Sequence, residues 1–315
     1  MPEVFDLEAI RSAVDESEVV DAVEQAFVAY SRGLADIPPV GLLHFDDPPG
    51  DVHIKYGVLR GDDAFVVKVA SGFYENPSRG LPTSDGVMLV FEAATGRLGA
   101  VLLDEGWLTE LRTGAAGAVA ARHLAPPIER IGMIGAGVQG RFQLRALARV
   151  TDCRDVLVWS RSADRAAAYR DELSQEGWEI SIAATPSEVA AASDLVVTAT
   201  PAQEPVLFAA DVRPGIHITA LGSDNVGKQE LDAQILGIAD VVVADSVSQA
   251  THHGECAAAI AAGAIEQGQI VELGQVIADP GLGRTSPDQI TVADLTGVAV
   301  QDIAVARMAY RALVG

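Results

Sequence analysis

The hydrophobic positions of the chain change their period near residue 128. Before that point, helical spacing of apolar residues predicts one or two helices over residues 5–33, closed by Gly33. Four short strand-like runs follow, separated by Gly, Asp, Asn and Pro clusters: 52–58, 64–70, 87–91 and 98–103. A periodic, alanine-rich stretch over 105–124 predicts a further helix that ends before Pro126-Pro127. This half is expected to form an antiparallel sheet with the N-terminal helix against it.

After residue 128, strand-like and helix-like segments alternate. The predicted strands cover 131–134, 156–159, 180–183, 195–200, 216–221, 241–245 and 289–293, and a last helix covers 302–312. Such alternation is typical of a parallel, doubly wound sheet, so the fold class is α/β. We expect a domain over 128–295 and a discontinuous domain made of 1–127 with 296–315.

A glycine-rich turn opens the first helix of the second half. A short apolar strand runs into G-x-G-x-x-G at Gly135, Gly137 and Gly140, and a helix-like stretch follows. The first glycine permits a tight turn, the second lets the backbone approach a pyrophosphate, and the third allows close helix packing. The N–H groups of the first helical turn, at Val138 and Gln139, would face the anion. The pattern predicts a Rossmann dinucleotide-binding domain, with a purely structural turn as the alternative.

The end of the second strand of this half bears on cofactor choice. It reads Trp159-Ser160-Arg161-Ser162 and carries no carboxylate for the ribose hydroxyls of NAD. Ser160, Arg161 and Ser162 can donate hydrogen bonds to a 2′-phosphate, with Arg165 one helical step further. The sequence therefore favours NADP(H), with NAD(H) possible. If Arg161 and Arg165 are solvated helix-cap charges instead, the preference is undetermined.

Composition excludes several classes of partner. The 315 residues include 44 acidic and 22 basic side chains, a net charge of −22, which argues against binding to nucleic acids or anionic membranes. Cys153 and Cys256 are far apart and form no C-x-x-C pattern, so no disulfide framework is expected. His252, His253 and Glu255 are rejected as metal ligands because adjacent histidines rarely face the same ion. We expect a cytoplasmic protein without metal or membrane segments.

Three charged residues lie where a small ligand would bind. Lys68 occurs inside an apolar strand, where an ammonium must leave at an edge or meet an anion. Arg112 begins a helix among small residues that would let a ligand approach, and a guanidinium can grip a carboxylate with two hydrogen bonds. Asp224 follows the fifth parallel strand, at the sheet edge where ligands bind, and would act as a general acid or base. The alternatives are structural ion pairs for Lys68 and Arg112 and an N-cap of the next turn for Asp224.

Together these residues resemble one family. The stretches concerned are Lys68 and residues 80–83, 111–113, 134–137, 222–224, 227–230 and 296–302. In their order and spacing, over nearly the whole chain, they resemble the ornithine cyclodeaminase/mu-crystallin family. The resemblance implies a dimer formed through the N-terminal sheet, with a substrate held between that part and a Rossmann domain. It also implies that Lys68 and Arg112 hold the substrate carboxylate and that Asp224 handles protons, which makes Lys68 and Asp224 the catalytic candidates. The remaining residues assigned to cofactor binding, besides Arg112 and the glycine turn, are Thr83, Thr113, Thr200, Pro201 and Gly222.

Departures from the family pattern indicate the substrate. The basic residue that members often carry after the first proline turn is missing at Pro39-Val40-Gly41. The cyclodeaminase carries a glutamate for the distal amine of ornithine in the strand before Lys68, whereas the strong charge of that strand here is Lys55. Lys55 would repel ornithine and attract a second carboxylate, unless it points to solvent. The pattern looks more like the family's iminosuccinate reductases and ectoine-utilisation proteins.

We therefore expect an NAD(P)H-dependent reductase of a small α-imino acid, or an amino-acid dehydrogenase in reverse. An ornithine-type cyclodeaminase with bound NAD⁺ and a non-enzymatic, mu-crystallin-like binder of small ligands are the alternatives.

Overall fold

The computed structural model of the chain describes residues 1–73 and 75–315. Two compact units account for the fold: Met1–Arg112 with Val298–Gly315, and Thr113–Gly297. The division falls inside a long helix, between Arg112 and Thr113, whereas the sequence suggested a boundary after Pro126-Pro127.

The first unit is built on a mainly antiparallel sheet. Its strands are β1 (Glu3–Phe5), β2 (Ala35–Asp36), β3 (Gly41–Asp46), β4 (Pro49–Leu59), β5 (Ala64–Phe73), β6 (Ser84–Glu92) and β7 (Leu98–Leu102). They are ordered β1-β7-β6-β5-β4-β2, with β3 paired to β4. The predicted antiparallel sheet is therefore found, except that β1 pairs parallel with β7.

Helices cover one face of this sheet. They are α1 (Leu7–Ala13), α2 (Val19–Ser31) and the C-terminal α11 (Ala299–Val314). The strands alternate, so that Ala64, Val66 and Lys68 of β5 are buried. Helix α11 packs against β4, β5 and β6 and contributes buried Ile303 and Ala306. Lys68 thus lies in the apolar layer between sheet and helices.

The long helix α3 (Trp107–Leu124) carries the small residues that we expected to face a ligand. In the second unit its Gly114 and Gly117 pack against α4 (Val138–Leu147). A Cβ at Gly114 would lie 2.7 Å from the carbonyl oxygen of Phe142, and one at Gly117 would lie 1.9 Å from Gln143 Oε1. These glycines serve helix packing, and the approach of a ligand beside Arg112 stays a prediction.

The second unit is a parallel sheet with helices between its strands. The strands are β8 (Ile131–Ile134), β9 (Asp155–Trp159), β10 (Glu179–Ile182), β11 (Leu195–Thr198), β12 (His217–Ala220), β13 (Val241–Ala244), β14 (Ile270–Glu272) and β15 (Thr291–Asp294). The helices after α4 are α5 (Ala163–Ser174), α6 (Pro186–Ala192), α7 (Ala233–Ile238), α8 (Val247–Ala250), α9 (Glu255–Ala261) and α10 (Leu273–Ala278). The strand order β10-β9-β8-β11-β12-β15-β13-β14 is parallel throughout.

This topology confirms the predicted α/β class with a Rossmann-like sheet and a second domain. The short strand β14 was not predicted. Within the described part of the chain, none of the helices combines the length and the apolar character that crossing a membrane would require.

Candidate active site

The glycine turn between β8 and α4 has the geometry that a dinucleotide needs. Gly135 has φ +119°, and a Cβ there would lie 2.4 Å from the carbonyl oxygen of Ala199. A Cβ at Gly140 would lie 2.5 Å from the carbonyl oxygen of Gly135, so the helix packs tightly on the turn. A Cβ at Gly137 would meet nothing within 4 Å, because this residue faces open space at the start of α4. The turn therefore leaves room for a ligand where the helix begins, next to Val138 and Gln139.

A groove of about 820 Å³ opens beside this turn. Its walls come from the carboxyl ends of β8, β9 and β11, and the lining residues are Gly135, Ala136, Gly137, Trp159, Ser160, Arg161, Ser162, Arg165, Ala199, Thr200, Pro201, Ala202, Gln203, Glu204, Pro205 and Val206. Seven of the residues assigned to cofactor binding from sequence are among them. The volume and the glycine cradle fit a bound dinucleotide.

The serine and arginine side chains after β9 stand at one end of the groove. Ser162 is the N-cap of α5, and its hydroxyl accepts a hydrogen bond from Arg165 N at 3.3 Å. Both Arg161 and Arg165 are exposed and line the groove. Glu204, on the opposite loop, is a lining carboxylate that the sequence interpretation did not weigh. The arrangement fits both interpretations of the two arginines, as donors to a 2′-phosphate or as solvated charges at the helix cap.

In the first unit, Lys68 meets an anion. Its Nζ donates a hydrogen bond to Asp302 Oδ1 at 2.8 Å, and the two side chains are 2% and 1% exposed. Burial, opposed by Asp302 and assisted by the charges of Arg112 and Lys55, lowers the pKa of Lys68 to about 7. Lys68 is therefore a cation that can lose its proton near neutral pH.

Arg112 shares the same carboxylate. Its Nε lies 3.1 Å from Asp302 Oδ1, and its Nη1 donates to Gln301 Oε1 at 2.9 Å. Burial alone would raise the pKa of Asp302, but the charges of Lys68, Arg112 and Lys55 outweigh it and lower that pKa, so Asp302 is ionised. Asp302 Oδ2 is buried and accepts no hydrogen bond from the described residues.

Lys55 completes a cluster of three cations. It stands directly opposite Lys68 in the β4–β5 ladder, which puts both side chains on the same face of the sheet. Lys55 is only 5% exposed, so it does not point to solvent. A second carboxylate, Asp104, interacts with Lys68 and accepts from Leu108 N at 3.0 Å, and burial raises its pKa to about 6. We call Lys55, Lys68, Arg112 and Asp302 the cation cluster.

Asp224 belongs to the second unit and lies in the turn after β12. Its Oδ1 accepts a hydrogen bond from Lys228 Nζ at 2.7 Å, and its side chain is 43% exposed. A turn follows at Val226 and Gly227, and the N-cap interpretation stays a prediction as well. The role of Asp224 toward the cation cluster stays a prediction.

Thr83 and Thr113, which the resemblance assigns to the cofactor, accept hydrogen bonds at their main-chain carbonyls. The carbonyl of Thr83 accepts from Phe73 N at 2.8 Å, and the carbonyl of Thr113 accepts from Gln143 Nε2 at 2.9 Å. Both residues are half-buried, and their assignment stays a prediction.

Sequence reasoning missed the acidic partners in both units. Asp302 and Gln301 were noted only as part of the family resemblance, although charged and amide side chains at the start of an apolar helix are a signal of buried polar contacts. Glu230 was missed too. It is fully buried and accepts hydrogen bonds from Thr200 and Gly222, both of which were assigned to the cofactor.

The chain is similar to known proteins over most of its length. The chain is 42% identical over 298 residues to an uncharacterised cyclodeaminase of Sinorhizobium fredii, covering 93% of this chain and 90% of that protein. It is 39% identical over 305 residues to an alanine dehydrogenase of Archaeoglobus fulgidus, covering 96% and 92%. It is 35% identical over 294 residues to an iminosuccinate reductase of Paracoccus denitrificans, covering 91% and 89%. The last two names describe oxidoreductases of amino or imino acids.

Solved structures share the whole architecture. An archaeal alanine dehydrogenase dimer with bound NAD matches with a TM-score of 0.91 and 36% identity, covering 99% of this chain and 96% of that one. The Δ¹-pyrroline-2-carboxylate reductase of Thermococcus litoralis, in complex with NADH and L-proline, matches with a TM-score of 0.93 and 29% identity, covering 99% and 97%. A family model also matches residues 3–315. The chain belongs to the ornithine cyclodeaminase/mu-crystallin family.

Proposed function

We propose that this protein reduces a small α-imino acid to an amino acid with NAD(P)H, or catalyses the reverse amino-acid dehydrogenation. The main support for the proposal is the buried cation cluster on the sheet of the first unit. Buried cations are costly unless they are paired, and Lys68 and Arg112 share the carboxylate of Asp302 as an ion-pair partner. A carboxylate substrate would supply further negative charge.

Lys68 and Arg112 bind the α-carboxylate of the substrate in this proposal. Asp302 accepts a hydrogen bond from Lys68 and forms an ion pair with Arg112, and so holds the ammonium and the guanidinium beside each other. Gln301 fixes a second nitrogen of the guanidinium. A carboxylate fixed by two such groups has little rotational freedom, which keeps the imine carbon in one orientation.

Lys55 selects the side chain of the substrate. Because it is buried next to Lys68 on the same face of the sheet, it favours a second carboxylate and disfavours a distal ammonium. An imino dicarboxylate such as iminosuccinate meets this requirement. Ornithine, whose side chain ends in an ammonium, does not.

Asp224 handles the proton. The reduced nicotinamide, when bound, supplies a hydride to the imine carbon. The carboxyl group of Asp224 supplies the proton to the imine nitrogen, directly or through a water molecule. Lys228 bonds to one oxygen of Asp224 at 2.7 Å and thereby fixes the carboxyl group.

NADP(H) is the cofactor that we favour, with NAD(H) possible. The hydroxyl and guanidinium groups of Ser160, Arg161 and Ser162 support this choice, since no carboxylate stands at the end of β9. The ratio of the dissociation constant for NADH to that for NADPH measures the preference. It should exceed one and should fall in Arg161→Ala.

A homodimer formed through the N-terminal sheet completes the proposal. Strand β3 exposes Leu42, Leu43 and Phe45 at 43%, 54% and 40%. Three exposed large apolar side chains on one short strand are typical of a surface that a partner covers. Light scattering should give twice the mass of the chain, and Leu43→Glu should lower it.

The experiment that tests the activity follows oxidation of NADPH and NADH at 340 nm. The substrates are oxaloacetate with ammonia, pyruvate with ammonia, and Δ¹-pyrroline-2-carboxylate. We expect turnover, fastest with oxaloacetate and ammonia. Absence of turnover with all three would contradict the proposal, as would release of ammonia from ornithine without change in cofactor absorbance.

A further inference from the structure

A fully buried carboxylate, that of Glu230, lies beneath the dinucleotide groove. Its Oε1 accepts from Thr200 N at 2.6 Å and from Thr200 Oγ1 at 2.8 Å. Its Oε2 accepts from Thr198 Oγ1 and from Gly222 N, each at 2.7 Å. Four donors match the acceptor capacity of an ionised carboxylate, which has two oxygens with about two lone pairs each. The carboxylate thus joins the carboxyl ends of β11 and β12.

The main chain around Glu230 anchors the remainder of the same loop. Thr200–Val206 forms one wall of the groove. Gln229 N donates to the carbonyl of Ala202 at 3.0 Å, in the middle of that loop. Val206 N donates to the carbonyl of Glu230 at 2.7 Å, at the end of the loop. The loop is therefore held at its start by the side chain of Glu230 and at its end by its carbonyl.

The position of Glu230 is itself fixed by a second buried carboxylate. Glu255, at the start of α9, accepts from Glu230 N at 2.8 Å and from Leu231 N at 3.1 Å. At Gly222 there is no room for a side chain, because a Cβ would lie 2.1 Å from the carbonyl oxygen of Thr200 and 2.6 Å from the carboxyl carbon of Glu230. Glycine at position 222 therefore leaves the space in which the buried carboxyl group of Glu230 contacts both strand ends.

We propose that Glu230 is the positioning residue of the dinucleotide site, which fixes loop 200–206 and the Gly222 strand end in the arrangement that binds the cofactor. This inference rests on the proposed function, because it takes the groove beside Gly135 to be the dinucleotide site. Burial raises the pKa of Glu230, and the four hydrogen bonds act in the opposite direction, toward the ionised form.

Glu230→Gln tests the role of the charge at constant size. An amide has one acceptor oxygen, and its NH₂ group faces two donors whichever way it turns. The threonine hydroxyls can rotate to accept, but Thr200 N or Gly222 N loses its partner. We expect the dissociation constant for NADPH, measured by nicotinamide fluorescence, to rise about tenfold or more.

Thr198→Val gives an independent measurement that does not depend on the folding of Glu230→Gln. Thr198 is fully buried and is not among the groove-lining residues, so an effect on cofactor binding must pass through Glu230. Loss of one of four hydrogen bonds should raise the dissociation constant about two- to fivefold. In the double variant the two effects should be less than additive, because both act on the same carboxylate.

Asp194→Asn is the matched control. Asp194 accepts from Glu129 N at 2.9 Å and Arg130 N at 3.1 Å, at the opposite, amino-terminal edge of the same parallel sheet. It should lower the urea midpoint without changing the dissociation constant beyond about twofold.

Three outcomes would overturn the inference. One is that Glu230→Gln changes cofactor binding no more than Asp194→Asn does. The second is that Thr198→Val has no effect, or that its effect adds fully to that of Glu230→Gln. The third is failure of the unmodified protein to bind NADPH or NADH, which would overturn the proposed function as well and is thereby distinguished from the other two.

Discussion

The two units bury charge in opposite ways. In the first unit the cation cluster places Lys55, Lys68 and Arg112 around Asp302, so charged side chains meet a charged side chain. In the second unit the buried carboxylates of Glu230 and Glu255 accept hydrogen bonds from main-chain N–H groups and hydroxyls. One unit thus places buried cations around a carboxylate, whereas the other surrounds buried carboxylates with neutral donors.

Because of this difference, the two units should respond differently to the loss of a buried charged side chain. Removal of a side chain from an ion cluster leaves an uncompensated charge, whereas removal of a carboxylate from main-chain donors leaves neutral N–H groups without partners. The first unit should therefore respond to mutation mainly through charge and substrate binding. The second should respond through loop position and cofactor binding.

The largest effect is expected from removal of the shared anion in the first unit. Asp302→Ala leaves Lys68 and Arg112 buried without their carboxylate and should cost about 3–5 kcal/mol of the free energy of unfolding. Urea denaturation measures it. Asp36→Ala, which breaks the exposed pair with Arg60, is the control and should leave stability unchanged. Equal effects of the two variants would contradict the contrast between a buried cluster and surface pairs.

The second unit should be weakened by acid through His217. This imidazole is buried between Thr291 Oγ1 at 2.8 Å and Thr219 Oγ1 at 3.0 Å, and burial together with Arg284 lowers its pKa to about 3. Between pH 6.5 and 3 the unfolded chain binds the proton that the folded chain does not. This residue therefore removes up to about 1.4 kcal/mol of stability for each unit that the pH falls.

The measurement for His217 is urea denaturation of the unmodified protein and His217→Gln at several pH values. The difference in free energy between the two should change across that range in favour of the variant at low pH. A difference that is independent of pH would show that the imidazole titrates normally.

A smaller effect, on substrate preference, is expected from removal of the Lys55 charge. Lys55→Met keeps the length of the side chain and removes the charge, so KM for an imino dicarboxylate should rise about tenfold. KM for a monocarboxylic imine should stay nearly constant, and Lys55→Arg should retain most of the preference for the dicarboxylate. Equal changes for both substrates would remove Lys55 from the role of selecting the side chain.

The smallest effect concerns the protonation of Lys68. Because its pKa is lowered to about 7, the free protein loses this cation as the pH rises through neutrality. The guanidinium of Arg112 remains as a second partner of the substrate carboxylate, so kcat/KM should fall only about fivefold between pH 6 and 8.5. Lys68→Arg should remove this step from the pH profile. Persistence of the step in that variant would assign it to another group.

The regular elements of the second unit could be predicted well from sequence. Buried parallel strands appear as apolar runs, so β8 was predicted with its observed bounds and β9 within one residue. Strand β3 was missed because its sequence, GLLHFD, does not alternate apolar and polar residues. Its apolar side chains are exposed in the structure. Strand β14, with three residues, is too short to show a period.

The candidate site was predictable only where a residue conflicts with its surroundings. Lys68 was found because an ammonium inside an apolar strand needs a partner, but Asp302 lies 234 residues away and only the fold brings the two together. Glu230 occurs in the polar sequence Gly227-Lys228-Gln229-Glu230, which resembles a solvated loop. Nothing local in that sequence shows that the carboxylate turns inward to the strand ends.

The most direct test of the account compares Lys68→Ala and Asp224→Asn in one steady-state assay of imine reduction. In the proposed mechanism, side chains of the first unit bind the carboxylate and a side chain of the second transfers the proton. Lys68→Ala should therefore mainly raise KM for the imino acid, and Asp224→Asn should mainly lower kcat, by about 10²- to 10⁴-fold. If both variants change the same parameter, or if Asp224→Asn retains normal kcat, the account is wrong.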